Sequence, residues 1–365
     1  FKWTPPGRGL QHMGREAIHS RQDSSFLQNC FAGNELFITL EYGPTSFAEV
    51  LGQEIHVLTE NGYQPAVVQE FGVQNLQDVT FKPYNVRSNH RVTVRVTPDH
   101  RWILSNDTET LDLKVGDVAQ GNIGNIELND ESYYRGIQHG LIFGDGVRIT
   151  HRYRNDDWGY EIRGCDDRVR QMIIHPEVKS LWDGINYDRP SANGDPIAKV
   201  RTHRDLKDFP LLDDYPEYKR GFIDGWLTAD ASIAGPTYKL ASQHPHAEEW
   251  LRLNAAEAGY SITGVNFDSV TTTNFGERKN PMRRISLVAS KINWTVESIV
   301  PLDEPEPVFC AVVPSTGRFT LASGIYTGNC AFLTTAKLSA HSVWEATGPF
   351  TRMMEMSMCV DGDTW

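Results

Sequence analysis

The residues best placed to do chemistry are a cysteine and an asparagine lying far apart in the chain. Cys30 follows Asn29 and opens Cys30-Phe31-Ala32-Gly33, and much later the chain reads Gly328-Asn329-Cys330. A thiol can attack the carbonyl carbon of its own preceding peptide bond and convert the amide to a thioester, provided the departing nitrogen is protonated. A second thiol can then take over the acyl group. Asparagine can turn its side-chain amide on its own carbonyl, forming a succinimide and releasing the next residue. Between these ends lies Thr97-Pro98-Asp99-His100, a hydroxyl and an imidazole on one turn. An imidazole is the natural proton donor to a departing amide nitrogen near pH 7.

A second constellation sits mid-chain. Gln138–Gly146 and Ile223–Ala231 are alike: each places small residues four apart, Gly140 with Gly144 and Gly225 with Ala229, and an acid directly afterwards, Asp145 and Asp230. On helices these spacings make flat stripes that let two backbones pack closely, bringing the acids together at one end. Paired carboxylates suit divalent ions that activate water for phosphodiester cleavage. After the first segment, Arg148, Thr150, Arg152 and Arg154 alternate with Ile149, His151 and Tyr153, so a strand here presents a basic face to a DNA major groove. Arg284, Ser286 and Val288, and Thr271 with Thr273, are weaker counterparts. Lys199, Lys239 and Lys291 are catalytic candidates that sequence does not separate.

The elements that must position these groups follow from periodicity. Val92, Val94 and Val96 alternate with Thr93 and Arg95, as in a half-buried strand, and the stretch from Cys30 to about Leu128 is β-rich. From Asn129 the texture becomes mixed α and β. Over His246–Ala258 the residues Ala247, Trp250, Leu251, Ala255 and Ala258 share one helical face, with Gly259 as the stop. Strand signals return around Val308–Thr327. An interrupted and then completed β domain is the simplest account.

Composition is compatible with this. The chain has 365 residues, 39% apolar and 22% charged, so it can bury more than one core. No apolar run would span a bilayer, and the first thirty residues lack a secretory pattern, so the expected setting is the cytoplasm, with no membrane. Five scattered cysteines without a CxxC pair suggest neither a disulfide framework nor a zinc site. The formal charge of −12 argues against indiscriminate nucleic-acid binding but not against a local basic face.

Taken in order, Cys30, the TxxH of Thr97 and His100, the closing strand and Asn329-Cys330 resemble the inteins. The resemblance implies that Cys30 performs the first acyl shift, Thr97 and His100 assist it, Cys330 takes the acyl group, and Asn329 cyclises. Asn29 is then joined to Cys330 without a cofactor. Three positions depart from the family pattern. Gly328 stands where His commonly precedes the terminal Asn, and Gly317-Arg318-Phe319 stands near another frequent His. Cys310, in Val308-Phe309-Cys310-Ala311-Val312, replaces a frequent Asp; it is an auxiliary acid or base with a shifted pKa, or a packing residue.

The duplicated acid-tipped segments are similar to the LAGLIDADG homing endonucleases. That likeness implies that Asp145 and Asp230 are catalytic metal ligands, that the ion is magnesium and that the partner is double-stranded DNA, an intein-less copy of the host gene. The expected fold is multidomain α+β: a β-rich, horseshoe-like Hint splicing domain (30–128 and 297–329) interrupted by an α/β endonuclease of two pseudo-symmetric halves (129–296). The flanks, 1–29 and 330–365, are exteins acting in cis. Trp3-Thr4-Pro5-Pro6-Gly7-Arg8-Gly9-Leu10, Asn29-Cys330-Ala331-Phe332, Pro349-Phe350 and Met354–Met358 resemble adenosylcobalamin-dependent (class II) ribonucleotide reductase. There Cys330 would become a redox thiol after ligation, and adenosylcobalamin would serve the complete host enzyme only. A monomer is expected. Two other readings compete: a stand-alone LAGLIDADG DNA endonuclease or RNA maturase with an accessory β domain, and a reductase segment with an inert insertion.

Overall fold

The computed structural model describes residues 30–149, 158–187, 194–268, 272–273, 276–277 and 281–329. Its largest sheet is antiparallel, with strands in the order Val118–Ala119, Trp294–Pro301, Gln77–Pro83, Val92–Val96, Phe31–Ala32, Glu306–Val312, Gly62–Gln74, Glu54–Thr59, Leu36–Thr39 and Gly43–Ser46. The chain leaves this sheet after Ala119 and re-enters at Trp294. Position 297, expected from sequence as a boundary, therefore falls inside a strand that pairs with Gln77–Pro83 from its first residue. Val94 and Val96 are buried while Thr93 faces solvent, as the alternation requires.

The short strand Phe31–Ala32 occupies the middle of the sheet. Phe31 pairs with Val96 on one side and Phe309 on the other, and in the core Phe47 stacks on both Phe31 and Phe37, with Phe319 edge-on to all three. A smaller sheet orders Arg318–Thr320, Tyr326–Gly328, Trp102–Ile103 and Glu109–Thr110. The turn from Val96 to Trp102 thus joins one sheet to the other.

The stretch from 131 to 288 winds the same pattern twice. Helix α1 (Glu131–Asp145) is followed by the sheet Val147–Arg148, Trp158–Arg163, Pro196–Thr202 and Gly184–Tyr187, with α2 (Asp167–Ile173) and α3 (Pro176–Lys179) between its second and third strands in chain order. Helix α4 (Pro216–Asp230) is followed by Ala231–Ala234, Thr237–Ser242, Met282–Val288 and Ser261–Asp268, with α5 (Ala247–Asn254) in the equivalent place. Both sheets have the spatial order first, second, fourth, third. The face read from Ala247 to Ala258 is buried throughout, but regular helix ends at Asn254, and Gly259 then turns with φ +77°.

Helices α1 and α4 pack backbone to backbone. A Cβ on Gly136 or Gly140 would overlap the carbonyl of Tyr218 or Phe222, and one on Gly221 or Gly225 would overlap that of Tyr133 or Ile137. The stripe is therefore one turn longer than Gly140, Gly144, Gly225 and Ala229 alone indicate.

A buried ion pair ties this region to the large sheet. Lys219 of α4 lies 2.6 Å from Glu257, with side chains 0% and 1% exposed, and Tyr63 donates its hydroxyl to the same carboxylate at 3.1 Å. Lys219 also donates to the Leu212 carbonyl, against which Gly43 packs with φ +65°. Burial pushes the Glu257 carboxyl up, and Lys219 opposes that. Removing one partner strands a charge in a dry seam. Lys219→Met is expected to lose about 3–5 kcal/mol of unfolding free energy in urea, and Lys219→Met with Glu257→Leu to lose less than either single change.

Candidate active sites

The first site forms where the two distant chain segments meet. Because Phe31 pairs with Val96, Cys30 and Thr97 are clamped together: the Cys30 N–H donates to the Thr97 hydroxyl at 3.1 Å, and the Thr97 N–H donates to the Cys30 carbonyl at 3.0 Å. The His100 N–H closes the turn on the Thr97 carbonyl at 3.2 Å. Its ring, fully buried, stands edge-on to Phe31 (4.4 Å between centroids) and to Trp102 (4.8 Å). Nε2 of His100 is hydrogen-bonded to the Thr327 hydroxyl at 2.6 Å. One imidazole therefore touches the residue after Cys30 and the residue two before Asn329.

Asn329 is 5% exposed and is held through its N–H and both polar atoms of its side chain. Its N–H donates to the Gly317 carbonyl at 2.8 Å and its amide Nδ2 to the Val313 carbonyl at 3.4 Å, while Oδ1 accepts from Arg101 at 3.1 Å. Arg318 turns the other way, onto Asp107 (2.7 Å) and Glu109 (3.0 Å), so it does not stand in for a histidine at Asn329. Cys310 is fully buried in Glu306–Val312. Continuing the register Phe31 to Phe309 by one residue sets it opposite Cys30, so packing and proximity to the first thiol coincide. Cys330 and Asn29 lie outside the described residues.

The second site lies at the shared end of α1 and α4. Asp145 and Asp230 are the last residues of their helices, and a Cβ on Gly144 would sit 2.6 Å from the Ala229 methyl and 3.1 Å from Asp230 Oδ2. Two helix C-termini and two carboxylates concentrate negative charge there. Burial pushes the Asp230 carboxyl up to about 6, with Asp145 adding to the rise and a 3.0 Å bond from the Trp226 indole opposing it. Burial also raises Asp145.

Lys207, absent from the sequence candidates, answers part of this charge. Its ammonium donates to the Phe143 carbonyl in the last turn of α1 at 2.9 Å, and it is coupled electrostatically to both acids. Nothing in its loop sequence distinguishes it; only the helix packing brings it there. Lys199 is instead paired with Glu161 at 3.2 Å. The donor set fits a hard divalent cation, which takes oxygen ligands and keeps part of its shell for water and phosphate. Among the described residues no third His, Cys, Asp or Glu completes a protein cage.

The basic strand face is only partly visible. Arg148 follows Val147 in a two-residue strand; its guanidinium, 42% exposed, binds Asp205 and covers the Trp158 ring at 4.0 Å. Thr150, Arg152 and Arg154 lie outside the described residues, as does Thr271. Arg284 is 63% exposed and paired with Asp268 at 3.2 Å.

No protein-family model matches the chain, and no curated protein matches it. Among solved structures it is similar to a G-1F mutant of the Ssp DnaB mini-intein variant M86, with 10% identity over 82% of this chain and 98% of that one, at TM-score 0.31. It is also similar to the homing endonuclease I-DmoI in complex with DNA and Mn, with 14% identity over 43% of this chain and 90% of that one, at TM-score 0.28. Superpositions this loose assign no residue, and the chemistry rests on the contacts above.

A divalent ion held at this acid pair would compete with a proton for Asp230. Its raised pKa means that the apo fold loses stability as pH climbs from the ordinary carboxylate value towards about 6, and that ion binding is lost as pH falls through the same value. Magnesium affinity by calorimetry is expected to drop roughly tenfold per unit below pH 6 and to level off above pH 7. Asp230→Asn should abolish that pH dependence and most of the affinity.

Proposed function

We propose that residues 30–329 are a protein-splicing element and that the acid pair within it is the centre of a DNA endonuclease. The observation that supports splicing best is the single buried imidazole of His100, lodged between Phe31 and Thr327, with Thr97 and Arg101 on the same turn bonded to Cys30 and Asn329. Acyl exchange needs both junctions within reach of common proton donors, and no other function requires that coincidence.

The Cys30 thiol attacks the carbonyl carbon of residue 29, and the bond to the Cys30 nitrogen breaks. Thr97, accepting the Cys30 N–H, holds that nitrogen for protonation, and His100 is the donor assigned to this step. Cys310 lies in register with the thiol as an auxiliary acid or base. Cys330 then takes the acyl group, Asn329 cyclises, and the acyl chain rearranges from sulfur to nitrogen, joining residues 29 and 330. This reading has a splicing domain of 30–128 and about 294–329, the second part starting with the strand Trp294–Pro301, and an endonuclease between them.

For the endonuclease, Asp145 and Asp230 would hold magnesium, which when bound activates water and stabilises the leaving oxygen. Lys207 holds the C-terminal turn of α1 in place beside them. The neighbours fit both halves of the proposal: one is a mini-intein, and the other is a homing endonuclease crystallised with DNA and Mn. The substrate is then duplex DNA, the protein a cytoplasmic monomer, and the flanks the exteins of a class II ribonucleotide reductase, joined at Asn29-Cys330.

Mass spectrometry of freshly expressed chain should find residues 30–329 excised and 1–29 joined to 330–365. Cys30→Ala should abolish the ligated product by removing the first step, and Asn329→Ala should stop release at the second junction while leaving the thioester cleavable by hydroxylamine. An intact wild-type mass after prolonged incubation would refute splicing.

A further inference from the structure

We propose that Arg101 is a catalytic residue for asparagine cyclisation, binding the reacting amide of Asn329 in place of the imidazole that position 328 lacks. The inference rests on the splicing reading and adds a group to it.

The guanidinium faces the reacting side chain directly. One Nη2 donates both to Asn329 Oδ1, at 3.1 Å, and to the Gly317 carbonyl, while Nη1 reaches Glu109 at 3.3 Å. The backbone of Arg101 is bound to the same strand, its carbonyl accepting from the Gly328 N–H at 3.0 Å and the Thr327 hydroxyl at 3.4 Å. The cation is 15% exposed, so water screens it weakly.

Gly328 is what admits it. A Cβ there would overlap Arg101 Nε and come within 3.0 Å of its Cγ and Cζ. Any side chain at 328, a histidine included, would push the guanidinium off Asn329. Gly317, with φ +63°, leaves the opposite wall open: a Cβ there would stand 3.1 Å from Nη2 and 3.4 Å from Asn329 Oδ1. The glycine that breaks the family pattern and the arginine on the amide are thus one steric solution.

An amide nitrogen is a poor nucleophile because its lone pair is shared with its own carbonyl. Loss of a proton from Nδ2 shifts charge onto Oδ1, and a cation bonded to that oxygen stabilises the anion as it forms. With Oδ1 occupied and Nδ2 directed by Val313, nitrogen is the atom left to attack. Nδ2 then bonds to the Asn329 carbonyl carbon, and the bond from that carbon to the nitrogen of residue 330 breaks. The proton given up by Nδ2 is balanced by one taken up on the leaving amine. The products are an aminosuccinimide at 329 and a free amine at 330, with no water consumed.

The test uses the full chain with its flanks and follows both junctions. Arg101→Met and Arg101→Ala are expected to retain the hydroxylamine-sensitive thioester at residue 29 while cleavage after Asn329 slows about 100-fold or more. Methylguanidinium should restore that cleavage in Arg101→Ala, where the cavity accepts it, and not in Arg101→Met. Arg101→Ala with Gly328→His should also recover cleavage, whereas Gly328→His alone should lose it. Wild-type rates of cleavage after Asn329 in both Arg101 variants overturn the assignment. So does equal loss at both junctions without rescue, which marks a structural arginine. A wild-type chain that forms no thioester and no break after Asn329 overturns the splicing reading and this inference with it.

Discussion

The geometry of the first site depends on one short constraint: Val96 and Trp102 belong to different sheets, and the turn between them joins those sheets at this point. Val96 pairs with Phe31 and Trp102 with Thr327, so two segments nearly three hundred residues apart are registered against the same few residues. Each pairing is an ordinary antiparallel contact, made specific by the apolar faces it buries. The turn itself is locked from within by the bond from His100 N–H to the Thr97 carbonyl, and from outside by Phe31 and Trp102 on either side of the imidazole. A side chain this confined keeps its direction without spending entropy at the moment of reaction.

The acid pair obeys the opposite logic. There the scaffold gathers like charge, two carboxylates at two helix C-termini, and keeps it together by packing the backbones too closely for any side chain at Gly136, Gly140, Gly221 or Gly225. Such a site is unfavourable to itself. Lys207 offsets part of the charge through the end of α1, and Asp230, pushed up mainly by burial, is raised further by Asp145. The same helix α4 that delivers Asp230 also delivers Lys219 to Glu257 and Tyr63, so the element bearing an acid is anchored in the seam with the large sheet. Neither the acids nor the seam is adjustable independently of the other.

Much of this is visible in the residues alone where a local period or a repeated spacing speaks for it. The strand over Val92–Val96, the apolar face from Ala247 to Ala258 and the two acid-tipped small-residue segments all follow from alternation or from steps of three and four. What stays hidden is decided by pairing across long separations. Lys207 is unmarked in its loop, because its role exists only once α1 and α4 are packed. Arg148 has the right type and spacing for a DNA-facing strand, but its partners Asp205 and Trp158 are not signalled by that spacing. Arg101 is a neighbour of His100 in sequence and still escapes notice, since the strand pairing of Trp102 with Thr327 is what aims it at Asn329.

Substituting a guanidinium for an imidazole beside the terminal asparagine changes more than the identity of a donor. A histidine at 328 would belong to the closing strand and could vary independently of the first junction. Arg101 belongs to the turn that also holds Cys30, so the groups serving both junctions are placed by one set of backbone bonds. A guanidinium stays charged throughout the physiological range, and its donors lie in a rigid plane, so its bond to Oδ1 does not depend on a proton that His100 or bulk water must supply. In the proposed splicing reaction the proton balance of the two steps is thereby divided: the imidazole is left to the departing amine of Cys30, and the guanidinium to the amide of Asn329. Gly328 is the condition for that division, because the space its missing side chain leaves is the space the arginine occupies.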